Sequence, residues 1–167
     1  MTPKIIEKEQ IILIGMDFYG DPMKDAPGWS VHNEIGKLWN RFMAFWGNNK
    51  HRVKNLVNPD VAYEVHTQPE ESGDVVNWSV FVGMEVENLE NIPVELMVKV
   101  LPPTRYAVFT LKGQEITSDW TTPIYEEWLP NSDYENAHPF LIEYYDSRFK
   151  GMENVEESEI DVYVPIK

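Results

Sequence analysis

The segment TSDWTTPIYEEWLPNSDYENAHPFLIEYYD, residues 117–146, sets an aromatic stripe beside an apolar strand that carries one carboxylate in a costly place. Trp120, Ile124 and Trp128 fall four apart, the spacing of one helical face, and Pro130 stops the run. Pro123 is tolerated only in a first turn or at a kink, so the start of this helix is left open. After a polar connection, PFLIEYYDS reads as a strand in which Glu143 stands among Phe140, Leu141, Ile142, Tyr144 and Tyr145. Such a strand has at least one dry face, and an ionised group there needs a cation or hydrogen-bond donors. Alternation alone does not say whether Glu143 lies on the wet face or the dry one.

Around this segment the order of elements repeats. The first copy opens with the strand character of Ile5 to Tyr19 and turns at Gly20, Asp21 and Pro22. Ser30 is the expected N-cap of a helix carrying Ile35, Leu38, Trp39, Phe42, Phe45 and Trp46 at helical spacing, with Gly47 placed to close it. VAYEVHT (61–67) and VVNWSVFVGMEV (75–86) follow as a hairpin turning at QPEESGD. The loop ENLENIP marks a boundary. Pro102 and Pro103 then predict a break or bulge before a strand over Tyr106–Lys112. The aromatic helix, FLIEYYD and EIDVYVPIK complete the second copy.

Laid side by side, IILIGMDFYG matches TRYAVFTLKG, VAYEVHT matches FLIEYYD, and WSVFVGMEV matches IDVYVPIK. The expected fold class is therefore α+β: a duplicated strand-helix-strand-strand module forming a curved antiparallel sheet with two main helices and a central ligand cleft. One domain over residues 1–167 is expected, with pseudo-symmetric halves at about 1–90 and 91–167. The alignment sets Glu64 opposite Glu143. If both faced one cleft, repulsion would raise one pKa and favour a cation between them. The expectation adopted is that Glu143 alone is the anchor.

With 43% hydrophobic residues and 13% aromatics the chain has material for a sizeable core. Fourteen basic against 28 acidic residues give a formal net charge of -14, which repels phosphate backbones and anionic membranes and disfavours nucleic acid as a direct partner. The absence of cysteine excludes disulfides, a thiolate nucleophile and cysteine metal sites. MTPKIIEKEQ lacks the apolar core of a signal peptide, and no run approaches a membrane span, so a soluble cytoplasmic protein is expected. His32, His51, His66 and His138 are scattered without H-x-x-x-H or carboxylate-paired spacing, so neither a metal nor a cofactor is expected. No nucleophile elbow, phosphate loop or dinucleotide fingerprint occurs.

The six Trp, eight Tyr and seven Phe supply core first, and among them Trp39, Phe42, Trp120 and Trp128 are the candidates for a cleft. A carboxylate near 4 Å from a cation gains roughly 4 kcal/mol at an intermediate dielectric, and each aromatic face adds about 0.5 to 2 kcal/mol. That combination selects lipophilic cations.

The doubled element order resembles the gyrase-inhibitor-like effector-binding domains. So do GMEVENLENIPVELMVKVLPPTRYAVFTLKG, IYEEWLPNSDYE followed by FLIEYYD, and the closing DVYVPIK. These domains are the ligand-sensing part of AraC- and MerR-type transcription regulators and also occur alone. The resemblance implies that Glu143 corresponds to the glutamate that meets cationic hydrophobic drugs in multidrug-sensing members. Tyr145 lies two residues along on the same face. The chain starts at the first strand of the module, so a stand-alone protein without a DNA-binding domain is expected.

The resulting expectation is a small-molecule binding module for amphipathic, cationic aromatic ligands, sensing or sequestering them through Glu143, Tyr145, Trp39, Phe42, Trp120 and Trp128. Two alternatives are a hydrolase of cyclopropane-bearing genotoxins, with Glu143 activating water and Tyr145 donating a hydrogen bond, and a gyrase-inhibitor type of interaction module. A separate protein partner and a monomer or weak dimer are compatible with these readings. Haem binding is disfavoured, because no histidine sits on an evident pocket face.

Overall fold

The computed structural model describes residues 2–68 and 77–167. Eight strands form one antiparallel sheet: β1 (Lys4–Lys8), β2 (Ile11–Gly20), β3 (Ala62–Thr67), β4 (Trp78–Glu85), β5 (Met97–Leu101), β6 (Thr104–Lys112), β7 (Phe140–Tyr145) and β8 (Glu159–Ile166). Their order is β1-β6-β8-β7-β3-β4-β2-β5, and β1 and β5 are its edges. Read from the centre outward, β3-β4-β2 mirrors β7-β8-β6, which is the duplication expected from sequence. The centre is the β3–β7 pair, where Glu64 stands directly across from Glu143.

The opening strand read as continuous from Ile5 to Tyr19 is two strands, and they serve different halves. β1 pairs with β6 and β5 pairs with β2, so each half lends its leading strand to the other. Pro102 and Pro103 fall between β5 and β6, where two residues without N–H donors cost no ladder bond. The expected turn of the β3–β4 hairpin lies at residues 69–76, outside the described residues, while the pairing itself is formed from Tyr63↔Gly83 to Thr67↔Ser79.

Alternation sorts the side chains onto two faces. One face gathers Ile11, Leu13, Tyr63, Val65, Phe81, Tyr106, Val108, Ile142 and Tyr163 into a single cluster that spans both halves. The opposite face is divided. Ile14, Val80, Val82 and Met84 pack with Leu38, Phe42 and Trp46 of the helix α1 (Glu34–Asn49), whereas Phe109, Leu111, Leu141, Tyr145, Ile160, Val162 and Val164 pack with Ile116 and Ile124. Trp39 and Ala62 belong to both of these clusters and mark their seam.

The helices depart from the expected ends. Asn33, not Ser30, caps α1, its side-chain oxygen accepting the Gly36 N–H at 2.9 Å; Ser30 instead accepts from the His32 backbone. The helix runs through Gly47 to Asn49, because the chain continues directly into the 3₁₀ turn Lys50–Arg52. The second helix is not an α-helix. Between Pro123 and Pro130 there are too few residues for several α turns, and the chain forms one π-helical turn, Pro123–Trp128, followed by a 3₁₀ turn, Leu129–Asn131. The N–H of Leu129 reaches the Ile124 carbonyl five residues back. Among the described residues no helix is long and apolar enough to cross a membrane.

Candidate functional site

In an antiparallel pair, residues directly across from one another share a face, so Glu64 and Glu143 point the same way. His66, two residues along β3, joins them there. This is the face divided between the two helical clusters, and the three side chains sit at the seam. Glu64 is 3% exposed and Glu143 6%, so water solvates neither carboxylate appreciably.

The two glutamates are held alike. The outer oxygen of Glu64 accepts the indole N–H of Trp39, delivered by α1, and the outer oxygen of Glu143 accepts the Tyr145 hydroxyl at 2.6 Å. Their inner oxygens converge on one nitrogen: His66 Nε2 lies 2.6 Å from Glu64 Oε1 and 3.4 Å from Glu143 Oε1. The Trp39 and Tyr145 rings meet edge to face at 5.3 Å and close the carboxylates from one side.

Burial favours the neutral form of Glu64, and repulsion from Glu143 adds to it; the His66 charge and the hydrogen bonds from His66 and Trp39 only partly offset this, leaving its pKa raised. Burial also opposes the His66 imidazolium. The charge of Glu64 and the hydrogen bonds to both carboxylates outweigh that, and His66 is raised to about 10. Tyr145 is pushed well above the usual phenol range by burial and by the two neighbouring carboxylates, so it remains a donor at physiological pH.

His66 also forms part of the wall of a cavity of about 200 Å³, shared with Gln68, Trp78, Thr121, Tyr125 and Phe140. A second, separate groove of about 540 Å³ lies at the C-terminal end of α1, beside Met43, Trp46 and Leu56.

Of the residues singled out from sequence, the fold brings Glu143, Tyr145 and Trp39 together. Phe42 is fully buried between Trp39 and Trp46, and Trp128 packs on Phe109 and Tyr134. Trp120 lies against the second-half cluster. None of these three lines the cavity. Glu143 does not stand alone on its face, because the central register places Glu64 directly across from it. The view that no histidine sits on a pocket face fails at His66. Trp78, Tyr125 and Phe140 were missed as cavity residues. The spacing of Glu64 and His66, two apart on one strand, was the available signal for the cluster.

A family model described as Cass2, integron-associated effector binding protein, matches residues 4–166. Transcriptional regulator BrlR of Pseudomonas aeruginosa is 30% identical over 168 residues, covering 99% of this chain and 56% of that protein. The chain thus spans about half the length of this curated relative. Among solved structures, SAV2435 bound to tetraphenylphosphonium superposes with a TM-score of 0.70 at 13% identity, over 100% of this chain and 94% of that one. An integron cassette protein from the mobile metagenome of Vibrio cholerae gives 0.62 at 14% identity, over 99% and 96%. At such identities these two likenesses show the fold.

Proposed function

The chain belongs to the integron-associated effector-binding family, and from that premise we propose that it binds amphipathic, cationic aromatic small molecules at the Glu64–His66–Glu143 seam, sensing or sequestering them. The observation that carries this reading is a pair of buried carboxylates sharing one imidazole beside an aromatic-walled cavity. SAV2435, which shares the fold, was solved with a lipophilic phosphonium cation, and this supports the ligand class.

His66 stands where a ligand's cation gains most, between the inner oxygens. An incoming cation replaces the imidazolium there, while Trp78, Tyr125 and Phe140 receive its hydrophobic body. At an intermediate dielectric, one carboxylate about 4 Å away contributes roughly 4 kcal/mol before desolvation. The cavity is smaller than the ~300–1,000 Å³ of drug-sized sites, so a bulky cation enters by moving these aromatic side chains. A domain of this kind serves equally as the sensing part of a regulator such as BrlR or as a buffer for toxic cations.

Titration with tetraphenylphosphonium, followed by Trp fluorescence, tests the proposal. Saturable quenching is expected, weakened about 10- to 100-fold in Glu143→Gln, which corresponds to the ~1.4–2.7 kcal/mol of one charge contact. Equal affinity in the variant overturns it. A cyclopropane-bearing substrate recovered by mass analysis with water added after incubation would replace a binder by a hydrolase.

A further inference from the structure

We propose that Glu64, His66 and Glu143 also form a site for a borderline divalent ion of the Zn²⁺ type, bound through Glu64 Oε1, His66 Nε2 and Glu143 Oε1. The inference does not depend on organic-cation binding.

Three features carry it. The three donor atoms already lie within 4.8 Å of one another, with two separations of 2.6 and 3.4 Å. Metal bonds of about 2.0–2.2 Å in tetrahedral or octahedral arrangement hold ligand atoms about 3.0–3.5 Å apart, so side-chain adjustments of an ångström or less complete the set. The carboxylates are also oriented from outside, since the Trp39 indole and the Tyr145 hydroxyl each hold the oxygen that points away from His66. Outer donors of this kind fix the inner oxygens as metal ligands.

The third feature is charge. Among the described residues, the ion pairs of Glu64 and Glu143 are both with His66, and no Lys or Arg lies within 4.0 Å of either. One imidazolium offsets the charge of only one ionised carboxylate. A divalent ion with a neutral imidazole balances two ionised carboxylates fully, and the protons held by the cluster leave to solvent. Two carboxylates and one imidazole suit Zn²⁺, Co²⁺ or Mn²⁺ better than a hard Ca²⁺ site built of oxygen alone.

Chelator-treated full-length chain, titrated calorimetrically with Zn²⁺ and spectroscopically with Co²⁺, decides the matter. One ion per chain is expected, with visible Co²⁺ bands of a low-coordinate N/O site. His66→Gln and Glu64→Gln should each lose about 100-fold or more in affinity, and Trp39→Phe about 10- to 100-fold. Circular dichroism of each variant establishes that it is folded. Glu153→Gln, on the exposed acidic surface, should bind as the parent does. Absence of a one-to-one site in the parent chain overturns the proposal. So does undiminished binding in folded His66→Gln, which would place the ions on the acidic surface. Tetraphenylphosphonium quenching of the metal-free chain reads the organic site separately, so either can fail alone.

Discussion

The two halves of the molecule hold their glutamates with different residues at one equivalent position. VAYEVHT and FLIEYYD align so that His66 matches Tyr145, each two residues beyond its glutamate, and each bonds its own carboxylate at 2.6 Å. The first half thus supplies a cation and the second a neutral phenol. A symmetric pair of strands has become a site with two carboxylates and one imidazole. The asymmetry extends to the helices. The first half has sixteen residues of α-helix whose Trp39 reaches Glu64, whereas the second has a single π turn bracketed by prolines, and the cavity opens beside that turn at Thr121 and Tyr125. Duplication explains why carboxylates face each other. The divergence after it explains why the space lies on one side.

The comparison breaks most visibly in the two helical cores. Phe42→Ala should cost about 4 kcal/mol, the range for a fully buried aromatic, and Ile124→Ala about 3 kcal/mol, both measured by urea denaturation. Equal and small losses would show that the halves do not rest on these clusters. At the next level, Tyr145→Phe removes one hydrogen bond to a buried carboxylate and should cost about 1.5–3 kcal/mol. Trp39→Phe tests the same bond in the first half. If His66 sustains Glu64 unaided, its cost will be the smaller of the two.

The smallest effect concerns pH. Asp146 aligns with Thr67, and only the second half carries a charge there, bonded to Arg148, which also holds Asp161 at 2.6 Å. The Arg148 hydrogen bond holds Asp146 below its ordinary value of 3.8. A depressed carboxylate stabilises the fold above the unfolded value and loses that contribution as pH falls through the folded one. The parent chain should therefore lose stability more steeply than Asp146→Asn as pH falls below about 4. The difference should stay under about 1 kcal/mol because the pair is partly exposed. Parallel acid-unfolding curves would remove Asp146 from the account.

Much of this architecture was legible in the sequence because strand alternation and element order are local signals. The α1 stripe and the break at Pro102–Pro103 were read directly, as was the correspondence of like strands in the two copies, although not that β3 pairs with β7. The lending of β1 and β5 was not legible, since Glu9 and Gln10 interrupt the opening strand without a turn signature and partner choice is a long-range matter. The second helix was over-read from its four-residue spacing, which a π turn between two prolines satisfies almost as well. Of the residues gathered at the seam, Glu143 and Trp39 were singled out from chemistry and Tyr145 through the family resemblance. His66 was dismissed as having no carboxylate at a pairing spacing, although Glu64 stands two residues before it on the same strand face.

The lent edge strands give the domain a mechanical character. Tension applied at Lys4 strips β1 from β6, so the first rupture falls in the half to which the pulled end does not belong. Neither half can be drawn away while the other keeps its grip. Load passing between the halves through the main sheet must cross β3 and β7, the strands that carry the two glutamates. An occupant that clamps Glu64 to Glu143 stiffens the middle of that path, and force spectroscopy from the N-terminus would register it as a higher unfolding force.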